Sequence, residues 1–220
     1  MTAALASALL AGSTGLVGRA LAAQIHSQPG APILHALTRR AGLGPAGCHE
    51  IVVDFNRLPA LPAADVAYCA LGTTIAQAGS QAAFRAVDFD AVLRFARAAK
   101  SAGVTRFAVV SALGADARSA SFYNRVKGEM EAAVAGLGFA CVVIARPSLL
   151  TGDRATLGQP LRLAERVAIA ITGPLGAFIP ARWRPIEAHT VARALILALQ
   201  QMPAGVHHIE SAELQTLSRG

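Results

Sequence analysis

The sequence has little lysine, and its basic residues are not gathered into clusters. Lysine and arginine together number 20, but only Lys100 and Lys127 are lysines. The only adjacent basic pair is Arg39-Arg40. A nucleic-acid-binding chain concentrates its cations on one face or helix. We therefore expect no nucleic-acid partner, despite the formal net charge of +7.

Cysteine is also scarce, and its spacing excludes the common metal and redox motifs. The three cysteines are Cys48, Cys69 and Cys141, and no C-x-x-C occurs. Two of them lie inside apolar runs, which favours small buried side chains. The adjacent pair His207-His208 would point to opposite faces of a strand. We expect no metal site, and the free thiols favour a reducing, cytoplasmic location.

No apolar run has the length and composition of a membrane helix, which needs about 18 residues or more. The first 25 residues are apolar, but they lack a basic start and three glycines interrupt them. The run from Val167 to Ala181 is short and contains two glycines and two prolines. We expect no membrane anchor.

What the sequence does have is an alternation of apolar strand-like runs with helical patterns. Its 220 residues are 54% hydrophobic and 15% charged, which is typical of one globular domain. The predicted strands are Leu5–Leu10, Pro32–Leu37, His49–Val53, Val66–Leu71, Phe107–Ser111 and Cys141–Ala145. The predicted helices are Gly15–Ser27, Gln81–Ser101 and Phe122–Gly136. This order predicts an α/β fold: a doubly wound parallel sheet with helices on both faces.

The last 70 residues or so follow a different pattern. Two amphipathic helices are predicted, at Leu161–Ile171 and at Val191–Gln201 with Thr190 as N-cap. Val206–Glu210 is predicted to be a short strand. We interpret residues 150–220 as a small substrate-side cap on a single domain that spans residues 1–220.

A glycine-rich segment lies where the first strand meets the first helix. It reads Gly12-Ser13-Thr14-Gly15-Leu16-Val17-Gly18. Small residues let a backbone turn tightly and approach a pyrophosphate, which the N–H groups of a helix N-terminus then bind. An ordinary glycine-rich turn is the alternative. The position in a β-α-β chain favours a dinucleotide-binding Rossmann domain.

Arg39 and Arg40 follow the second strand, where an acidic residue would accept hydrogen bonds from the ribose 2′-hydroxyl of NAD. Guanidinium groups instead suit a 2′-phosphate. Two solvated surface charges are the alternative. The pair favours NADP(H) as cofactor and leaves NAD(H) open. Asp54 ends the third strand with Phe55 beside it, and both are candidates to flank adenine. An ordinary strand-ending aspartate is the alternative.

Ser111, Tyr123 and Lys127 form a candidate catalytic set. Tyr123 and Lys127 are four residues apart, so they share one face of a helix. A phenol with a pKa of ~10 is a poor base at neutral pH, and a nearby ammonium favours its phenolate form. The Ser111 hydroxyl would hold a substrate oxygen. The alternative is a surface tyrosine beside a solvated lysine.

In these motifs the chain resembles an atypical short-chain dehydrogenase/reductase of the NAD-dependent epimerase/dehydratase-like branch. It is most similar to the Tat-interacting-protein-like group of NADPH-binding proteins. The matching positions are the three spaced glycines, Thr38 to Arg40, Cys69 to Thr74, Val87-Asp88, Ser111 to Ala115, Tyr123 to Glu129 and Arg146-Pro147.

The resemblance implies a role for each matching segment. Gly12 to Gly18 would hold the pyrophosphate, and Leu71, Gly72 and Thr73 would pass under the adenosine and ribose. Lys127 would also bond the nicotinamide ribose. The nicotinamide itself would be bordered by Pro147, Ser148 and Leu149.

The chain departs from the family at two places. A helix asparagine that many members use in a proton relay is not evident, although Asp88 stands nearby. The C-terminal region is also much shorter than in sugar-nucleotide epimerases, which argues against a nucleotide-sugar substrate.

Three functions are compatible with these residues. The first is an NADP(H)-dependent oxidoreductase that transfers hydride to a small carbonyl compound. The second is a regulator that senses NADP(H) and binds a protein partner. The third is an epimerase or dehydratase that uses its cofactor transiently. The complete Ser-Tyr-Lys set favours an enzyme, and the oligomeric state is left open.

Overall fold

The computed structural model describes residues 6–152 and 180–219. Seven parallel strands form the main sheet. They are β1 Ser7–Ala11, β2 Ile33–Thr38, β3 His49–Val52, β4 Val66–Cys69, β5 Arg106–Val110, β6 Cys141–Arg146 and β9 Gly205–Glu210. Their order across the sheet is β3-β2-β1-β4-β5-β6-β9. A separate ladder pairs β7 Leu150–Thr151 with β8 Ile186–Glu187.

Helices cover both faces of the main sheet. They are α1 Leu16–His26, α2 Ile75–Ala78, α3 Gln81–Arg85, α4 Val92–Ser101, α5 Phe122–Ala135, α6 Ala188–Gln201 and α7 Ser211–Leu217. One apolar core lies between the sheet and α1, α6 and α7, and a second lies between the sheet and α4 and α5. The predicted doubly wound parallel fold is confirmed.

The central strands are buried on both faces, which explains their sequences. All four residues of β4 and the first five of β6 are buried. Strands of this kind are continuous apolar runs rather than alternating ones. Cys69 and Cys141 lie on these strands as buried free thiols, as the sequence predicts.

The predicted helix Gln81–Ser101 contains an unexpected turn. Between α3 and α4, residues Ala86–Ala91 form a π-helical turn. Such turns are rare in proteins, and those that do occur are often found at functional sites. Asp88, within this turn, is completely buried.

The C-terminal region differs from its prediction in two details. Thr190 is not the N-cap of α6; the helix begins at Ala188, three residues before its predicted start, and Glu187 is its N-cap. The helix α7 was not predicted, because Ser211–Leu217 is short and weakly patterned. The predicted helix Leu161–Ile171 lies outside the described residues.

No helix within residues 6–152 and 180–219 is long and apolar enough to cross a bilayer.

Candidate functional site

The predicted site residues follow the carboxyl ends of neighbouring parallel strands, and they therefore lie along one edge of the sheet. Gly12 follows β1, Arg39 follows β2, Thr73 follows β4, Ser111 follows β5 and Pro147 follows β6. In open α/β sheets, this edge is where ligands bind.

The three spaced glycines, two in the loop after β1 and one in the first turn of α1, differ in what the fold requires of them. Gly12 has a φ of 81°, and a Cβ atom there would lie 2.4 Å from the backbone of Ala70. A Cβ atom on Gly18 would lie 2.1 Å from the carbonyl oxygen of Gly12. Close backbone packing therefore requires glycine at both positions. A Cβ atom on Gly15 would meet no described atom closer than 3.5 Å, so the folded chain itself does not require glycine there.

The same loop carries polar groups without partners. Gly15 is the N-cap of α1, no side chain caps the helix, and its first turn has no acidic residue. Ser13 is completely buried, and its hydroxyl has no hydrogen-bond partner among the described residues. Buried polar groups are nearly always paired. An uncapped helix N-terminus beside an unpaired hydroxyl fits a phosphate anion.

The other three residues of the glycine-rich segment lie in the turn and at the start of α1. Thr14 is half-buried in the turn, and Leu16 and Val17 open α1. The Val17 side chain points away from the loop surface into the core that α1 shares with α6. The predicted role of Leu16 and Val17 therefore depends on their N–H groups, because their side chains pack in the core.

Arg39 and Arg40 are both exposed directly after β2. Neither forms an ion pair with another residue of the described ranges. Their guanidinium groups are therefore available to an anion at the outer end of the site.

The loop that carries these arginines is held by Glu50 on β3, a residue that the sequence did not indicate. Its carboxylate accepts hydrogen bonds from the Thr38 hydroxyl at 2.9 Å and from the N–H groups of residues 42–44 at 2.6 to 3.0 Å. These bonds, led by the one from Gly42, lower the pKa of Glu50. Glu50 therefore stays ionised, and its hydrogen bonds hold residues 42–44, which follow the two arginines, against β3.

Asp54 and Phe55 each make a contact within the protein that explains the position of the side chain without a ligand. Asp54 is exposed, and its Oδ1 accepts a hydrogen bond from the N–H of Asn56 at 2.8 Å. Phe55 packs against the core beneath α4. Their contact with adenine stays a prediction.

The segment after β4 approaches Lys127, a member of the candidate catalytic set, at Asp88. The N–H of Thr73 donates to Asp88 Oδ2 at 2.9 Å. A Cβ atom on Gly72 would lie 3.4 Å from Asp88 Oδ1 and 3.8 Å from Lys127 Nζ. Leu71 packs on the adjoining core. The predicted ribose segment and the predicted catalytic lysine are thus neighbours.

Lys127 and Asp88 form a buried ion pair. Lys127 Nζ lies 2.7 Å from Asp88 Oδ1, and the two side chains are 4% and 0% exposed. Burial alone would lower the pKa of Lys127, but the Asp88 carboxylate and nearby Tyr123 more than offset it and raise the pKa. The lysine therefore keeps its charge in a site almost closed to water.

Tyr123 and Ser111 complete the set. Tyr123 is half-buried one helical turn before Lys127, with its ring centroid 5.2 Å from that of Phe84. Ser111 is 5% exposed, and its hydroxyl has no partner among the described residues. Its N–H donates to the carbonyl of Ala145 at 2.7 Å, which fixes the backbone. The Ser111 hydroxyl is therefore buried and unpaired among the described residues, directly after β5.

Pro147, Ser148 and Leu149 connect β6 to the small ladder. Pro147 is buried, and the Ser148 hydroxyl accepts a hydrogen bond from Ser211 at 3.0 Å. The carbonyl of Leu149 accepts from the N–H of Ile186 at 3.0 Å. This segment is thus fixed by internal bonds, and its contact with nicotinamide stays a prediction.

Cys69 lies beside the ion pair but is not a nucleophile. It is completely buried at the end of β4, and this burial raises its pKa to about 12. A thiol reacts as its thiolate, so Cys69 stays inert at neutral pH.

The two adjacent histidines on β9 have separate surroundings. The Nε2 atom of His207 lies 3.0 Å from the carbonyl oxygen of Pro203. The Nε2 atom of His208 lies 3.5 Å from Glu131. Within the described ranges, no three histidine, cysteine or acidic side chains are grouped as metal ligands.

Two fungal proteins resemble the chain over most of its length, whereas no protein-family model matches it. It is 34% identical over 183 residues to "Protein fmp52, mitochondrial" of Emericella nidulans, which covers 78% of this chain and 77% of that protein. It is 32% identical over 216 residues to "Protein FMP52, mitochondrial" of Eremothecium gossypii, with 96% of each chain covered.

A mammalian protein is also similar. "Protein HTATIP2" of Rattus norvegicus is 38% identical over 155 residues, covering 67% of this chain and 60% of that protein. The resemblance to the Tat-interacting-protein-like group is confirmed.

These relatives contradict the cytoplasmic location that the cysteines predicted. The FMP52 proteins of both fungi carry the word mitochondrial in their names. The prediction is wrong because free cysteines indicate only that thiols stay reduced, and they do not distinguish one reducing compartment from another.

Solved structures share the fold at low sequence identity. MoeE5 in complex with UDP-glucose and NAD has a TM-score of 0.67 and 18% identity, covering 96% of this chain and 80% of that one. A short-chain dehydrogenase/reductase superfamily protein from Agrobacterium tumefaciens with bound NAD has a TM-score of 0.68 and 18% identity, covering 93% and 77%. The chain therefore belongs to the family of FMP52 and HTATIP2, which has the fold of the short-chain dehydrogenase/reductase superfamily.

Proposed function

We propose that this chain is an NADP(H)-dependent oxidoreductase that reduces a small carbonyl compound to an alcohol. The observation that carries the proposal is the buried Lys127–Asp88 pair, one helical turn from Tyr123 and next to the segment after β4. Strongly coupled, buried charges in a cleft are typical of functional sites. A charge pair used only for stability would gain little from this burial.

Hydrogen-bond donors and cationic side chains along this edge of the sheet would match the successive parts of a dinucleotide. The unpaired Ser13 hydroxyl and the uncapped start of α1 would hold the pyrophosphate. Arg39 would bind the 2′-phosphate, and Arg40 lies beside it in the same exposed loop. Lys127 would bond the nicotinamide ribose.

The chemistry follows from the roles of three side chains. Bound NADPH supplies the hydride that the carbonyl carbon accepts. The Tyr123 hydroxyl donates a proton to the carbonyl oxygen, and the Ser111 hydroxyl holds that oxygen by a hydrogen bond. The Lys127 ammonium lies one helical turn away, and Tyr123 regains its proton from solvent.

The direct test is NADPH consumption by the purified full chain against a panel of aldehydes, ketones and quinones. The proposal expects NADPH loss in step with alcohol formation. Product without net NADPH loss would instead identify an isomerase or dehydratase. NADPH binding without turnover of any panel member would favour a cofactor sensor.

The cofactor preference gives a separate prediction. Arg39→Ala should weaken NADPH binding by about tenfold or more and leave NADH binding unchanged, because a charged hydrogen bond contributes about 1.5–3 kcal/mol. Fluorescence titration of both dinucleotides measures this. Arg97→Ala, which removes an exposed arginine of α4, is the matched control. Equal affinities of the unaltered protein for NADPH and NADH would contradict the preference.

A further inference from the structure

We infer that Asp88 is a positioning residue of this site, which orients the Lys127 ammonium and joins it to the backbone of Thr73 before any ligand binds. Its value for catalysis rests on the proposed function. The ion pair between Asp88 and Lys127 does not depend on that function, because the titration of Lys127 can be measured without a cofactor.

Both oxygens of Asp88 are used, and they connect three separate elements. Oδ1 lies 2.7 Å from the ammonium nitrogen of Lys127 on α5, as an ion pair. Oδ2 accepts from the N–H of Thr73, after β4, at 2.9 Å. Asp88 itself stands on the π-helical turn. A carboxylate bound on both sides and fully buried has little freedom to move, so it fixes the lysine that it contacts.

Asp88 faces inward from the π-helical turn. Residues Ala86–Ala91 form the wider turn of a π-helix, and Asp88 and Ala91 are the buried members of the turn. Asp90, two residues away, remains half-exposed. Residues two apart on a helix face nearly opposite sides, so one aspartate is buried and the other is partly solvated.

The charge of Lys127 depends on Asp88 more than on any other group around it. The ionisable groups that influence it are Asp88 from the π-helical turn, Tyr123 from its own helix and Cys69 from β4. Cys69 stays protonated at neutral pH, since its pKa is raised to about 12. Burial favours a neutral lysine. Without the Asp88 carboxylate, burial would prevail and the pKa of Lys127 would fall.

The number of lysines makes this inference directly measurable. Lys127 and Lys100 are the only lysines in the chain, so full-length protein labelled with ¹³C-lysine gives two side-chain signals, which Lys100→Arg assigns. In the unaltered protein, the Lys127 signal should titrate above the ordinary value of about 10.4. In Asp88→Asn it should titrate at least about one pH unit lower than in the unaltered protein. Asp90→Asn, the matched control, should leave it unchanged.

Two results of the titration would overturn the inference. One is a Lys127 signal that titrates at the same pH in Asp88→Asn as in the unaltered protein. The other is a Lys127 signal at or below the ordinary lysine value in the unaltered protein. The second result requires no variant, so the inference stays testable even if Asp88→Asn fails to fold.

A second readout separates this inference from the proposed function. NADPH affinity should be constant from about pH 7.5 to about pH 9 for the unaltered protein, a range across which Lys127 stays charged and the 2′-phosphate stays ionised. For Asp88→Asn, affinity should fall as the pH rises through the lowered pKa of Lys127. Identical pH profiles would overturn the role of Asp88. Absence of NADPH binding by the unaltered protein would overturn the proposed function, and the lysine titration would still decide the role of Asp88.

Discussion

Tyr123→Phe is expected to lower the rate of carbonyl reduction by ~10²–10⁴-fold, which is the usual contribution of a general acid. NADPH affinity should be unchanged, because the substitution removes only the hydroxyl. The ring keeps its contact with Phe84, and Lys127 keeps its contact with Asp88. Steady-state rates and cofactor titration of the same preparation measure the two effects.

The other tyrosine of the chain provides the control for this variant. Tyr68 lies on β4 and is completely enclosed by the core, so Tyr68→Phe should not change the rate per folded molecule. A carbonyl substrate that Tyr123→Phe reduces as fast as the unaltered protein would eliminate the proposed mechanism. A cofactor sensor would show no effect of Tyr123→Phe on any output.

Gly15→Val is expected to abolish dinucleotide binding while the protein remains folded. The backbone at this position has an ordinary φ of −83°, and the first added carbon meets nothing closer than 3.5 Å. The fold therefore accepts a side chain at Gly15, but a β-branched one would occupy the space through which a pyrophosphate approaches. Titration with NADPH and thermal unfolding measure binding and folding separately.

Gly136→Val is the matched control for this experiment. Gly136 ends α5 with a φ of −74°, and a Cβ atom there would meet carbonyl oxygens at 3.6 Å. It lies away from the loop after β1, so binding should survive. NADPH affinity retained by Gly15→Val would show that the glycine-rich loop is only a turn.

The sheet could be predicted from sequence because its strands are buried on both faces. Continuous apolar runs such as Cys141–Ala145, with helical patterns between them, are typical of the strands of a parallel sheet. The predicted strand bounds differ from the observed ones by a residue or two, which is the usual uncertainty at the ends of elements. The position of the predicted site at one edge then follows from the parallel order.

The contacts within the site could not be predicted in the same way. Asp88 belongs to a helical pattern whose period assumes 3.6 residues per turn, and the π-helical turn breaks that period. Glu50 acts on a loop whose path no pattern of hydrophobicity describes. Asp88 lies 2.7 Å from Lys127, which belongs to another helix, and Glu50 bonds the N–H groups of the loop of residues 42–44 at 2.6 to 3.0 Å. Such pairings depend on tertiary placement, which the residue types alone do not encode.

The most direct test of the proposed cofactor site is a crystal structure of the full chain grown with NADPH. We expect density for the pyrophosphate at the start of α1 beside Ser13, for the 2′-phosphate at Arg39, and for the nicotinamide ribose at Lys127, with the Lys127–Asp88 contact intact. Crystals grown at saturating NADPH that show the dinucleotide at another place, or none at this edge of the sheet, would contradict the proposal.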